Sequence, residues 1–226
     1  MEIIAYIHTD MTEKFGVPRQ SGIVDKLTGI IEFTPKYNCI EAVKGLEEFT
    51  HIWLLWEFSK NVGKEWKFMV RPPRLGGNTY KGVFATRSPV RPNPIGLSSV
   101  KLEKVILDEK KGPKLIVSGI DMIDNTPIYD IKPYIPYSDC HVDAIGGFAD
   151  RVKDYALKVE FANDTKELIP QDKLEALVGI LSLDPRPGYK KMTISDRIYG
   201  ISYAGYNIRF IVEYDVLTVV EISKIL

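Results

Sequence analysis

Between residues 71 and 102, the stretch RPPRLGGNTYKGVFATRSPVRPNPIGLSSVKL sets Arg71, Arg74, Lys81, Arg87, Arg91 and Lys101 among prolines and glycines, with no acidic residue. The chemistry such residues offer is anion recognition, because the planar guanidinium fork gives two parallel hydrogen bonds to a carboxylate or phosphate. Pro72-Pro73, Pro89, Pro92 and Pro94 fix φ and press the preceding residues toward extended backbone. A stiff, irregular loop system is expected, interrupted by one short strand at 82–85. Rigid loops that carry charge are where binding and catalysis concentrate. Downstream, DMIDNTPIYD holds Asp121 and Asp124, side chains of a type that can accept a proton. Each can equally shape a turn by bonding to backbone.

The rest of the composition frames that chemistry. Thirty basic and thirty acidic residues among 226 cancel, which argues against a generally basic nucleic-acid coat. The balance is local, however. Residues 60–91 carry eight Lys/Arg against Glu65 alone, whereas 139–175 carry nine acids against five bases. Positive charge is gathered where an anion would bind. Cys39 and Cys140 show no metal-ligand spacing and are too few for a disulfide framework. His8, His51 and His141 have no Asp or Cys at informative spacing, so structural roles and no metal are expected. The opening MEIIAYIHTDM lacks a basic n-region, and no run approaches the ~20 apolar residues of a membrane span. A soluble cytoplasmic protein is expected.

The elements that position these residues read as mostly strands. Residues 2–9 open with a strand, 10–21 form a loop, and 22–34 are mostly extended. Residues 37–46 suit a short helix, and the aromatic run FTHIWLLWEF at 49–58 suits a central strand. Trp53, Trp56, Phe58 and Phe84 are expected in the core. Residues 100–107 and 114–120 read as a hairpin, and 127–131 as another strand. Many short strands with frequent turns predict a mixed or closed β architecture such as a barrel. No GxGxxG follows a strand and opens a helix, so a doubly wound nucleotide fold is not indicated. Past residue 152 the pattern changes. A strand at 155–161 precedes a helix at 170–181 with Leu174, Leu177, Val178 and Leu181 on one face and Gly179 as a weak point. A terminal hairpin follows, of 199–214 and 216–222. The chain thus divides into a β-barrel domain, 1–152, and a small α+β domain, 153–226.

Several phrases together, VPRQSG (17–22), GLEEFTHIWLLWEF (45–58), VRPPRLGGN (70–78), GVFATRSPVRPNPIGLSSVKLE (82–103), DMIDNTPIYDIKPYIPYSD (121–139) and DPRPGYKK (184–191), resemble the TrmO/TsaA-like family of S-adenosylmethionine-dependent tRNA methyltransferases. The resemblance implies a β-barrel enzyme, working as a homodimer, that methylates N6 of threonylcarbamoyladenosine at position 37, in the anticodon loop. It also implies S-adenosylmethionine contacts at Pro18, Arg19, Gln20, Ser59, Lys60, Arg87, Leu97, Asp124, Asn125, Thr126 and Pro127. Ser59 stands where relatives often carry His, and Asn125 where they often carry Gly. Asn also visits left-handed backbone.

Methyl transfer from a sulfonium needs in-line positioning and a dry site. The acceptor nitrogen of a urea must also lose a proton, for which Asp121 and Asp124 are the candidates. Arg71, Arg74 and Arg91 suit the threonyl carboxylate and RNA phosphates. Arg186, Lys190 and Lys191, interleaved with Tyr189 and Tyr199, suit a phosphate and an unstacked base. The basic loops also fit a non-catalytic RNA-binding barrel, or a same-fold methyltransferase acting on another acceptor. Affinity for S-adenosylmethionine separates the first of these from an enzyme. The nucleoside that gains the methyl group separates the second.

Overall fold

The structure, a computed structural model, describes residues 1–75, 79–186 and 195–225, without the side chains of Arg74, Val152, Ser195 and Asp196. The strands run β1 (Ala5–Thr9), β2 (Thr28–Phe33), β3 (His51–Glu57), a short pair β4 (Met69–Val70) and β5 (Lys81–Gly82), then β6 (Ile95–Ile106), β7 (Lys114–Ser118) and β8 (Thr126–Pro133). Six of them close an antiparallel barrel in the order β1-β2-β7-β6-β3-β8. Period-two alternation explains the closure. Along β3, Ile52, Leu54 and Trp56 point inward, where they meet Ala5, Ile7, Ile31, Val100, Leu115, Val117 and Ile128 in a buried cluster. Each such side chain contributes about 1.5–3 kcal/mol when fully buried. Closure also removes the free sheet edges that invite aggregation.

After a one-turn helix α1 (Pro136–Asp139) come β9 (Lys158–Phe161), α2 (Gln171–Ser182), β10 (Ser195–Tyr203), β11 (Tyr206–Glu213) and β12 (Val216–Lys224). The sheet order is β10-β11-β12-β9, with β9 parallel to β12. Leu174, Leu177, Ile180 and Leu181 of α2 are buried together with Ile201, Phe210 and Leu217 of the sheet. No helix among the described residues is long and apolar enough to cross a membrane.

The loop between β1 and β2 ties the two sheets together. Asp10 accepts the Ala204 N–H through its carbonyl at 3.0 Å, and its carboxylate pairs with Lys173 at 2.6 Å. Glu13 accepts the Ser202 N–H at 3.0 Å. On α2, a Cβ at Gly179 would stand 2.8 Å from Val24 Cγ1. The glycine that the sequence marks as a weak point is the seat on which the loop's valine rests.

Several elements differ from expectation. Residues 82–85 form a 3-10 turn, Val83–Ala85, because the adjoining pairing with β4 covers only Lys81–Gly82. The helix expected at 37–46 is two short 3-10 turns, Ile40–Val43 and Leu46–Glu48, parted by Gly45 with φ at 87°. Strand β6 begins at Ile95, inside the proline-rich stretch, and spans roughly 40 Å at about 3.3 Å per residue. The terminal hairpin is a three-stranded meander, since 199–214 turns at Ala204-Gly205, both with positive φ. Of the four aromatics expected in the core, Trp56 is buried, Phe58 packs against the core and Trp53 is half-buried with its indole on Asp139. Phe84 is 74% exposed, because the 3-10 turn that replaces the expected strand turns it outward.

Candidate active site

The sequence scatters its candidates over more than a hundred residues, and the β1–β2 loop is what connects them. It meets three groups in turn: Arg87 and Asp121, the turn at 124–127, and the turn at 59–61.

In the first group, the exposed Arg87 guanidinium donates to Gln20 Oε1. Its charge also acts on Asp121, whose carboxylate accepts the Ser98 hydroxyl at 2.6 Å and the Ser21 backbone N–H. Ser98 in turn accepts the Trp56 indole N–H at 2.9 Å. The relay depends on a glycine: a Cβ at Gly96 would lie 2.2 Å from Trp56 Cε2, so only glycine lets the indole lie flat against β6. Burial pushes the Asp121 carboxyl up to about 6, outweighing the opposing pull of Ser98, Arg87 and the backbone donors. A carboxylate with that affinity is ionised near neutral pH yet basic enough to hold a proton. Leu97, next to Ser98 but on the outer face of β6, is 56% exposed.

In the second group, the Asp124 carboxylate accepts the Thr9 N–H at 3.0 Å and the Asn125 side-chain amide at 2.7 Å, and lies 3.4 Å from His8 Nδ1. Asp124 N–H donates to the Met11 carbonyl at 2.7 Å, which fastens this turn to the start of the loop. Asn125 has φ at 57°, the left-handed backbone that the Asn-for-Gly exchange requires. Thr126 and Pro127 are buried, with the Thr126 hydroxyl on the Ile123 carbonyl at 2.7 Å. Pro18 is buried and Arg19 is exposed.

In the third group, Ser59, Lys60 and Asn61 form a 3-10 turn directly after β3. The buried Asn61 Oδ1 accepts Lys14 Nζ at 2.7 Å and Lys64 Nζ at 3.1 Å, and Lys14 Nζ also reaches the Lys60 carbonyl at 3.3 Å. Partial burial, then the charges of Lys64 and Lys60, lower the Lys14 pKa.

Of the remaining candidates, Arg71 is exposed and stacks over Tyr80 at 4.6 Å. Arg91 is half-buried and donates to the Thr86 carbonyl at 3.2 Å, clamping its own loop. The Arg74 side chain, Lys190 and Lys191 lie outside the described residues. Arg186 departs from its expected place on an RNA face. It is 4% exposed and holds Asp184 through Nε at 2.9 Å and Nη2 at 3.2 Å, while Tyr155 donates to the same carboxylate at 2.8 Å. That guanidinium is spent on fixing the backbone after α2. The sequence reading missed Ser98 and Lys14, and found no partner for His8. Ser98 had an available signal, since it faces inward between Gly96 and Val100 in β6. His8 and Lys14 had none, because their partners are remote along the chain.

A closed antiparallel barrel whose rim loops carry a guanidinium, an ammonium, two carboxylates and an exposed leucine is a binding fold of the barrel type, distinct from the doubly wound class. Comparison with known proteins makes the class specific. Residues 6–140 match the tRNA-methyltransferase O N-terminal domain and residues 154–225 the TrmO C-terminal domain. The chain is 39% identical over 215 residues to the tRNA (adenine(37)-N6)-methyltransferase of Escherichia coli, covering 92% of this chain and 91% of that protein. The human protein of the same description is 41% identical over 151 residues, 66% of this chain and 33% of its own length. Among solved structures, a crystal structure of TrmO superimposes with a TM-score of 0.78 at 32% identity, covering 98% of this chain and 97% of that one. TrmO from Pseudomonas aeruginosa gives 0.76 at 31% identity, over 98% and 97%. The chain belongs to the TrmO family of tRNA methyltransferases.

Proposed function

We propose that this protein uses S-adenosylmethionine to methylate N6 of adenosine 37 in tRNA, with the threonylcarbamoyl derivative of that adenosine as acceptor. Similarity over nine-tenths of the chain to a tRNA (adenine(37)-N6)-methyltransferase is the observation that carries the reading. The donor set fits the cofactor, which is at once an amino acid, a diol and a heteroaromatic ring. Arg87 and Lys60 suit its carboxylate, the Asp124–Pro127 turn its hydroxyls, and exposed Leu97 the face of its ring, with Pro18, Arg19, Gln20 and Ser59 along the border. Bound S-adenosylmethionine supplies an electrophilic methyl group on sulfur.

The protein's own residues supply position and a proton acceptor. Asp121 takes the proton that the urea-type N6 must lose, because its carboxylate is held half-buried by Ser98 and Ser21 and is basic for a carboxylate. Asp124, occupied by Thr9 and Asn125, holds the turn and stands second as a base. In this reading Arg71, Arg74, Arg91, Lys190 and Lys191 bind the threonyl carboxylate and RNA phosphates. Residues 1–152 carry the chemistry, while 153–226 brace the β1–β2 loop and contact the tRNA. Exposed Phe68, Met69, Phe84, Tyr137, Val142 and Ile145 support a homodimer, since large apolar side chains in such numbers favour association. A cytoplasmic location is part of this reading, since tRNA is abundant there. The test is incubation with S-adenosylmethionine and modified tRNA. Mass spectrometry should then find one added methyl group on the position-37 nucleoside, and its absence would refute the reading.

A further inference from the structure

Two ammonium groups meet beside the 59–61 turn, with a third lysine in that turn, and among the described residues no carboxylate pairs with them. Lys14 arrives from the β1–β2 loop and Lys64 from the chain beyond the turn, and both donate to the one neutral oxygen Asn61 Oδ1, at 2.7 and 3.1 Å. The Lys60 charge also acts on Lys14, which bonds the Lys60 carbonyl. Several other lysines pair with acids, as Lys36 does with Glu2, Lys114 with Glu32 and Lys173 with Asp10. The nearest acids in sequence do not serve here. Glu13 is turned to the Ser202 N–H, and Glu65 makes no ion pair among the described residues.

Like charges gathered on one neutral acceptor repel, and long flexible side chains leave such an arrangement unless an anion rewards it. We propose that Lys14, Lys60 and Lys64 seat a backbone phosphodiester of the RNA, beside the nucleotide being methylated. The inference rests on the proposed tRNA activity for the identity of the polyanion. Its position follows from the turn, because Ser59 and Lys60 are also the candidate cofactor contacts. A strand that brings its base to the methyl donor must run its phosphates past the same turn. Lys14 also lines a cleft of about 170 Å³ together with Phe15, Val17, Arg19, Leu183 and Asp184, a recess of mixed polar and apolar character.

The test uses the full chain and the variants Lys14→Gln, Lys64→Gln and the double. Fluorescence anisotropy with a tRNA anticodon stem-loop RNA is followed across a salt series, and calorimetry measures S-adenosylmethionine affinity. The double substitution should flatten the plot of log affinity against log salt by about 0.7, the value for one phosphate contact on a single strand, and each single substitution by part of that, with cofactor affinity unchanged. An unchanged slope in the double variant overturns the proposal. Lost cofactor affinity with an unchanged slope also overturns it, and assigns the lysines to the cofactor's carboxylate. Equilibrium binding requires no turnover, so failure of the wild-type protein to methylate tRNA would refute the proposed activity while leaving the phosphate seat standing.

Discussion

The Ser98 hydroxyl stands 2.6 Å from Asp121 Oδ1 and is itself held by the Trp56 indole at 2.9 Å, so a tryptophan inside the barrel aims the hydrogen bond of a carboxylate at its rim. The carboxylate can neither rotate freely nor shed its proton as readily as one in water. That combination of fixed orientation and raised proton affinity is what a general base for a weakly acidic nitrogen requires.

Replacing Asp121 with Asn should therefore separate activity from stability. Between its ordinary value of 3.8 and about 6, the folded protein keeps a proton that the unfolded chain has released. Stability from this group is thus lost as pH rises through that window and stays lower above it. Asp121→Asn has no proton to lose, so its melting temperature should exceed the wild type's at pH 7 and converge with it near pH 4. Methyl transfer by the variant should fall by roughly 10²–10⁴, and wild-type activity should rise through pH 6 to a plateau. Full activity in the variant would remove Asp121 from the chemistry.

Arg87→Ala should weaken S-adenosylmethionine binding by about 1.5–3 kcal/mol, the worth of a hydrogen bond to a charged group, with the fold intact because the side chain is exposed. Arg87→Lys should recover only part of this, since an ammonium cannot reproduce a planar fork. Calorimetry showing wild-type affinity for the alanine variant would dismiss the contact.

A methyl group at position 96 has nowhere to go. Gly96→Ala drives a carbon to within 2.2 Å of the Trp56 ring, across the β3–β6 pairing. Overpacking of this kind costs about 1–3 kcal/mol or more, and the displaced indole releases Ser98. The denaturant midpoint should drop, and the pH dependence of activity should shift with it. A midpoint equal to the wild type's would mean the ring has room that the geometry denies.

Gly179→Val tests the support of the β1–β2 loop from a position in α2, outside every candidate contact. The new side chain displaces Val24 and lifts the loop that bears Lys14, Arg19 and Gln20. Cofactor affinity should fall although no cofactor contact has been altered. For the same reason a chain ending at 152 should lose cofactor binding as well as RNA binding. If that truncation folds and binds S-adenosylmethionine normally, the loop needs no support from the second sheet.

What the sequence makes legible is what acts locally. Prolines and glycines declare the stiff basic loop, a long aromatic-rich apolar run declares β3, and Asn125 declares a left-handed turn that its φ of 57° bears out. Contacts between distant stretches are not declared. His8 meets Asp124, and Lys14 meets Asn61, through closure of the barrel and folding of the loop. The sign of a residue's exposure is also hidden where the element type is ambiguous. Phe84 turns outward because its segment is a 3-10 turn, and Arg186 turns inward because Asp184 is waiting for it. A glycine in a helix reads as a flaw until the valine it admits is seen.

The ties of the β1–β2 loop to Lys173, Ser202 and Ala204 also set an order of assembly on the ribosome. Synthesis runs from the N-terminus and domains fold as units when complete. The barrel can close once β8 has emerged to pair with β1 and β3. The loop made among the first thirty residues finds its barrel partners by the time β8 emerges, but its ties to Lys173, Ser202 and Ala204 must wait until nearly the last strands arrive. A nascent chain therefore acquires its scaffold well before its rim is set. Premature termination after β8 would remove the partners of Asp10 and Glu13 while sparing those of Met11, Lys14 and Gln20.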